Sequence, residues 1–283
     1  MPTFETPGPI SLVVDLGAAS VRLVAGDRTD TTVEVRPTDP SDESDVKAAA
    51  QVRADYANGT LTVEGPKFRA FDFSKKSRSV AVTIELPAGS NVRGDLQMGN
   101  FRCIGPLGGC RLRTAAGDLG LDRTGPAHLH TAAGHVTVDR VGGDADISTG
   151  SGRVHVGEID GAAVVKNSNG DTEIGTVTGN ARVRAANGDI SVGHALGGQV
   201  EAKSANGDIR LGEVTHGSVD LKTSMGDVEV GIAEGTAAWL DVYTGFGRMV
   251  RELGEATAPS PQSDGSVEVH AHTSYGDITV RRS

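Results

Sequence analysis

Residues 165–211 read VKNSNGDTEIGTVTGNARVRAANGDISVGHALGGQVEAKSANGDIRL, and they state one unit nearly three times over. Each unit is a short apolar-alternating run, a small-residue turn ending in Gly-Asp, and a second alternating run. Gly170, Gly188 and Gly207 mark the turns at spacings of 18 and 19. Outward from this stretch the same glycine recurs at 99, 117, 134 and 152 on one side and at 226, 247 and 276 on the other. The spacing is constant to one residue until the last two intervals, which stretch to 21 and 29. A fixed period of this length is the signature of a solenoid.

Columns counted from the turn glycine give the local structure. Five residues before it stand Leu129, Ile147, Val165, Val183, Ala202 and Leu221; two after it stand Val136, Val154, Thr172, Ile190, Ile209 and Val228. Four after it the column is again apolar, if a one-residue slip onto Val250 is allowed where Arg251 strictly falls. Apolar and polar positions alternate, so the elements are strands of about five residues. Two such strands bury nothing alone. Coils stacked about 4.8 Å apart pair equal columns in parallel and close a continuous core. The expected fold is therefore all-β: a parallel β-solenoid (β-helix) of about ten coils over residues 91–283. A small β-rich N-terminal capping domain over residues 1–90 precedes it. In that domain Asn58-Gly59 carries a hairpin signal, residues 42–53 form one short helix with acids in the first turn, and residues 66–76 read as a loop.

Composition narrows the function. There are 39 glycines, 4% aromatics and a formal net charge of −10. The acidity speaks against nucleic acid or an anionic membrane as whole-molecule partners, and no run approaches the roughly 20 apolar residues of a membrane span. The first residues have neither a basic nor an apolar leader segment, so a cytoplasmic location is expected. Cys103 and Cys110 fall in core columns and are expected to be buried, inert thiols. The Asp after each turn suits capping of turn amides better than calcium, which in β-rolls needs a nine-residue glycine repeat. No metal, cofactor or catalytic residue is expected.

The column four before the glycine should face outward, and it is rich in cations: Arg113, Lys166, Arg184, Lys203 and Lys222 are the candidate binding stripe. Like charges stacked at strand spacing repel. Either Glu201, Asp220 and the post-turn aspartates neutralise them, or the stripe serves an anionic partner. The column three before the glycine is mostly Thr or Ser and reads as a ladder bonding backbone groups. A polysaccharide-active enzyme would need a cleft. The one long excursion, residues 254–265, carries no His, Cys, Arg or Lys.

The run Val82-Thr83-Ile84-Glu85-Leu86-Pro87-Ala88-Gly89-Ser90 followed by repeated Asn/Ala-Gly-Asp-Ile/Val units resembles the bacterial β-strand-repeat "putative adhesin" family, the Toastrack-type domains. Asn187-Gly188-Asp189-Ile190 and Asn206-Gly207-Asp208-Ile209 match best, and the Gly/Ala-rich composition suggests an actinobacterial-like member. The resemblance implies a solenoid without known catalytic residues or an established ligand.

The expectation is thus a non-catalytic binding or scaffolding protein whose partner is an unnamed protein or anion. The alternatives are a structural protein that self-assembles as bactofilin-like solenoids do, and, below it, a polysaccharide-active enzyme. Trp239, Tyr243, Phe246 and Tyr275 gather aromatics near the C-terminus and are the candidate self-association residues. Residues 278–283 should form an edge strand with nothing after it to pair with, which would make the C-terminal coil a homodimer contact.

Overall fold

The computed structural model describes residues 2–67, 78–253 and 265–283. Part of the loop expected at 66–76 and nearly all of the 254–265 excursion therefore lie outside the described residues. The chain divides into two compact units, Met1–Gly142 and Gly143–Ser283.

In unit 2 the periodicity becomes two parallel ladders. On the first wall the strands Ala145–Ser151, Ala163–Asn169, Ala181–Asn187, Gln199–Lys203 and Gly217–Met225 pair in strict column register. On the second, Val154–Ile159, Thr172–Val177, Ile190–Ala195, Ile209–Val214 and Val228–Ile232 pair likewise, with one register shift after Leu211 in the last pair. Val165, Val183, Val156 and Val230 are wholly buried, because each lies between identical columns above and below. The fold is the all-β parallel solenoid.

The stack then leaves sequence order. Strand Gly217–Met225 pairs with Ser266–Tyr275, and Val228–Ile232 with Ile278–Arg282. The intervening strands Ala237–Phe246 and Met249–Glu252 lie beyond them, paired with Ser266–Tyr275 and Ile278–Arg282 on one side. The C-terminal coil is thus inserted between two coils that precede it in the chain. This corrects the expected free edge at residues 278–283: that strand has partners on both sides. Arg281 reaches Glu229, and Arg282 donates to the carbonyls of Ala233 and Thr236. The stretched spacings of 21 and 29 come from this exchange, since the coil after Gly226 in space is the one turning at Gly276. The slip onto Val250 does not occur: Arg251 faces Val280 and takes the core column itself.

In unit 1 strand Ser11–Gly26 is a full coil. It runs parallel to Asn91–Pro106 on one side and to Thr60–Glu64 and Ser79–Pro87 on the other, and so pairs across the boundary placed at residue 90. The outer sides of those last two strands are covered in antiparallel fashion by Arg53–Ala57 and Asp30–Pro37. The hairpin turns at Asn58 (φ 51°) and Gly59 (φ 75°). The helix spans Glu43–Gln51, capped by the Asp42 carboxylate on Ser44 N–H at 2.6 Å. It is anchored by buried Asp45, which accepts from the backbone amides of Ser79 and Asp39.

Candidate functional site

Four of the five stripe cations come together. Lys166, Arg184, Lys203 and Lys222 are consecutive register partners on the first wall of unit 2. Arg113 lies in unit 1, in register with Asp95 and His130. The alternation of the strands turns all four cations outward, while their chain neighbours Val165, Val183, Ala202 and Leu221 fill the core.

The stripe is unevenly neutralised. Glu201, with a side chain only 12% exposed, sits among Arg182 (2.8 Å), Arg184 (3.0 Å) and Lys203 (3.0 Å), and Lys203 also meets Asp220 at 2.8 Å. The Lys203 ammonium first, and Arg184 after it, hold the Glu201 carboxyl down to about 2, against the opposing effect of burial. Hydrogen bonds from Lys203 to Asp220 and then Glu201 raise the lysine in turn. Lys166 and Lys222 have no carboxylate partner among the described residues. The post-turn aspartates do not supply one. The Oδ1 atoms of Asp171, Asp189, Asp208 and Asp227 accept the backbone amide of the next coil at 2.7–3.2 Å. They form a hydrogen-bonded ladder along the turn. A shallow groove of about 350 Å³ runs beside it, lined by Arg153, Asp171, Glu173, Asp189, Asp208 and Arg210 among others.

The hydroxyl column bonds backbone as its position requires. Thr223 donates to Gly207 O (2.9 Å), Thr273 to Gly226 O (2.9 Å) and Thr244 to Gly276 O (2.8 Å). These bonds trace the exchanged order of the last coils.

The candidate self-association residues prove to be contacts within the chain as well as exposed surface. Trp239 packs edge-on to His270 (5.5 Å), Tyr243 lies over His272 (5.0 Å), and Phe246 stacks on Tyr275 (5.0 Å, 6°). All four named aromatics remain more than half exposed. Sequence reasoning missed the group beneath Trp239. His270 has Asp241 Oδ2 3.3 Å from Nδ1 and Glu268 Oε1 3.1 Å from Nε2. Asp241 chiefly, then Glu268, raise the imidazole. Asp241 and His270 hold the same outward column in consecutive coils; the exchanged coil order adds Asp220 as the register partner of His270 on its other side.

Both thiols are buried, Cys103 completely. Burial pushes Cys103 well above the usual thiol range and Cys110 up to about 11, so neither is a thiolate near neutral pH. Among the described residues no three His, Cys, Asp or Glu side chains cluster to hold a metal, and no helix is long and apolar enough to cross a membrane.

A parallel solenoid of repeated strands, with an outward ladder of side chains, defines the class as a β-strand-repeat protein. Residues 10–281 match the Toastrack DUF4097 family, and the chain belongs to it. Among solved structures it is similar to a "putative adhesin" from Bacteroides fragilis, with 16% identity over 99% of this chain and 95% of that one, TM-score 0.35. It is similar also to one from Parabacteroides distasonis, with 14% identity over 98% and 95%, TM-score 0.38. A "putative cell adhesion protein" from Clostridium sporogenes shares 10% identity over 100% and 98%, TM-score 0.25. No curated protein matches the chain.

Proposed function

We propose that this chain is a non-catalytic binding protein that presents the Lys166–Lys222 column of unit 2 to an acidic partner. The observation that carries the reading is the unequal state of four cations in one straight column. Arg184 and Lys203 are held by Glu201 and Asp220, whereas Lys166 and Lys222, at the two ends, keep uncommitted ammonium groups. A surface evolved only for self-neutralisation would give the end positions a carboxylate too, since like charges at strand spacing repel. The locked centre fixes the spacing of the two free ends without consuming them.

Several observations support a non-catalytic role. Both thiols are held protonated by burial. Both ring nitrogens of His270 face carboxylates. The turn aspartates spend an oxygen on backbone amides. A nucleophile needs an adjacent base free to take its proton, and these groups are already engaged.

The reading is tested on a poly-L-glutamate matrix with the intact protein. Wild type is expected to be retained at low salt and released as salt shortens the Debye length to about 8 Å near 0.15 M. The Lys166→Ser/Lys222→Ser variant should pass unretained with an unchanged melting temperature, because neither residue has an ion-pair partner among the described residues. Equal behaviour of the two proteins would remove the stripe as a binding site.

A further inference from the structure

Among the described residues, the coil formed by Ala237–Phe246 and Met249–Glu252 has paired strands on one side only, and its core columns are open. Met249 is 52% exposed, whereas its register partner Ile278 and the next residue in the column, Val228, are at most 1% exposed. Leu240 and Val242 are half-buried where Val269 and Ala271 beneath them are fully covered. An edge of this kind presents a row of backbone donors and acceptors to any strand that fits it.

What fits it is constrained by charge. Met249 and Arg251 occupy inner columns and Val250 and Glu252 alternate to the outer face; Arg248, just before the strand, has an exposed side chain. An inward-facing charge in an edge strand is a device against indiscriminate pairing. Residues directly opposite in an antiparallel pair share a face, so a second copy related by a two-fold axis has few registers to choose from. Centring the axis on Arg251 sets Arg251 against itself, and centring it on Glu252 sets Glu252 against itself. Either arrangement places like charges directly opposite. Centring on Met249 pairs Arg248 with Val250 and leaves no ion pair. Centring on Val250 sets Arg248 against Glu252 twice over, Met249 against the aliphatic stem of Arg251, and Val250 against Val250. Glu252 has no cation partner among the described residues. Arg248, although it touches Asp277 at 3.0 Å, keeps a side chain 85% exposed. A segment whose charges are reciprocal about its own midpoint is complementary to itself rather than to an arbitrary strand.

We infer that the terminal coil of unit 2 is the docking surface for a second copy of this chain, joined antiparallel through residues 248–252 with the two-fold axis at Val250. The aromatics on Ala237–Phe246 flank this edge but do not set the register. The interface uses none of the lysines assigned to the acidic partner, so the two readings stand or fall separately.

Sedimentation of the intact protein up to about 100 μM, a range that detects micromolar dissociation constants, provides the test. Wild type should be a dimer, Glu252→Arg a monomer, and the double exchange Arg248→Glu/Glu252→Arg a dimer again, with circular dichroism confirming that each variant is folded. Val250→Cys gives a second readout. In the inferred register the two Cα atoms lie about 4.5–5.5 Å apart, inside the disulfide range of about 4.4–6.8 Å. Mild oxidation should then yield a covalent dimer far faster than for Met225→Cys, which is the more exposed position (55% against 37%) but off the edge. A wild-type monomer throughout, a dimer indifferent to Glu252→Arg, or equal cross-linking at both cysteines would overturn the inference.

Discussion

At the scale of single residues, the turn glycine carries the most information. Gly207 has φ 141°, and a Cβ built there would lie 2.1 Å from the Gly188 carbonyl oxygen of the coil below. The position forbids a side chain twice, by backbone conformation and by the closeness of adjacent turns. Gly207→Ala is therefore expected to cost about 3 kcal/mol or more, read as a fall in the chemical-denaturation midpoint. Gly26 has open space around it and no positive φ, so the same change there should be near neutral. Comparable losses at the two sites would mean that the turns do not stack as described. The stripe teaches a related lesson. Charge and parity in the sequence showed that Lys203 faces outward, but not that it bridges Glu201 and Asp220. That depends on rotamers of long side chains in adjacent coils, which a column alignment does not specify.

At the scale of the element, the last coil is held by side chains as well as by backbone. His270, on Ser266–Tyr275, reaches Asp241 on Ala237–Phe246, while Glu268 on its own strand occupies its other nitrogen. With both ring nitrogens facing carboxylates, the bonded form is the imidazolium. Asp220, in register on the strand below, adds a further negative charge to its surroundings; Lys222 and His272 lie one outward position along. The pKa is raised in the folded state, so the stabilisation is fully present below the unfolded value near 6.5 and is lost as pH rises through the higher folded value. Amide exchange in residues 237–246, corrected for intrinsic rates, should be more protected at pH 6 than at pH 8.5. His270→Gln should abolish that difference. A pH-independent protection pattern in the wild type would show that the imidazolium does not hold the coil.

At the scale of the whole chain, most of the fold was legible because stacking makes the same demand on the sequence every 17–19 residues. Core columns, outward columns, the turn glycine and the Thr ladder all repeat, and each repetition reinforces the others. What was not legible is order. Nothing local in residues 266–282 says that they lie between Gly217–Met225 and Ala237–Phe246 instead of beyond the latter, because both strands present the same alternation. The signal was present only as stretched spacing and as Arg251 in an apolar column, the residue expected of an edge. The same blindness hid Ser11–Gly26, which is a coil of the stack without a Gly-Asp turn to announce it. The exchanged order decides which edge is open and which neighbours His270 has, so it is the claim to test first. Lys222 and His272 are adjacent register partners, whereas Lys222 and Tyr243 are separated by the strand between them. Parallel neighbours lie about 4.8 Å apart, within disulfide range, and next-nearest strands at about twice that distance are beyond its limit of roughly 7 Å. Cysteine pairs are placed at 222/272 and at 222/243 in otherwise intact protein, oxidised, and mapped by peptide mass. Cross-linking at 222/272 and none at 222/243 is the expected result; closure of 222/243 with 222/272 remaining reduced would contradict the account.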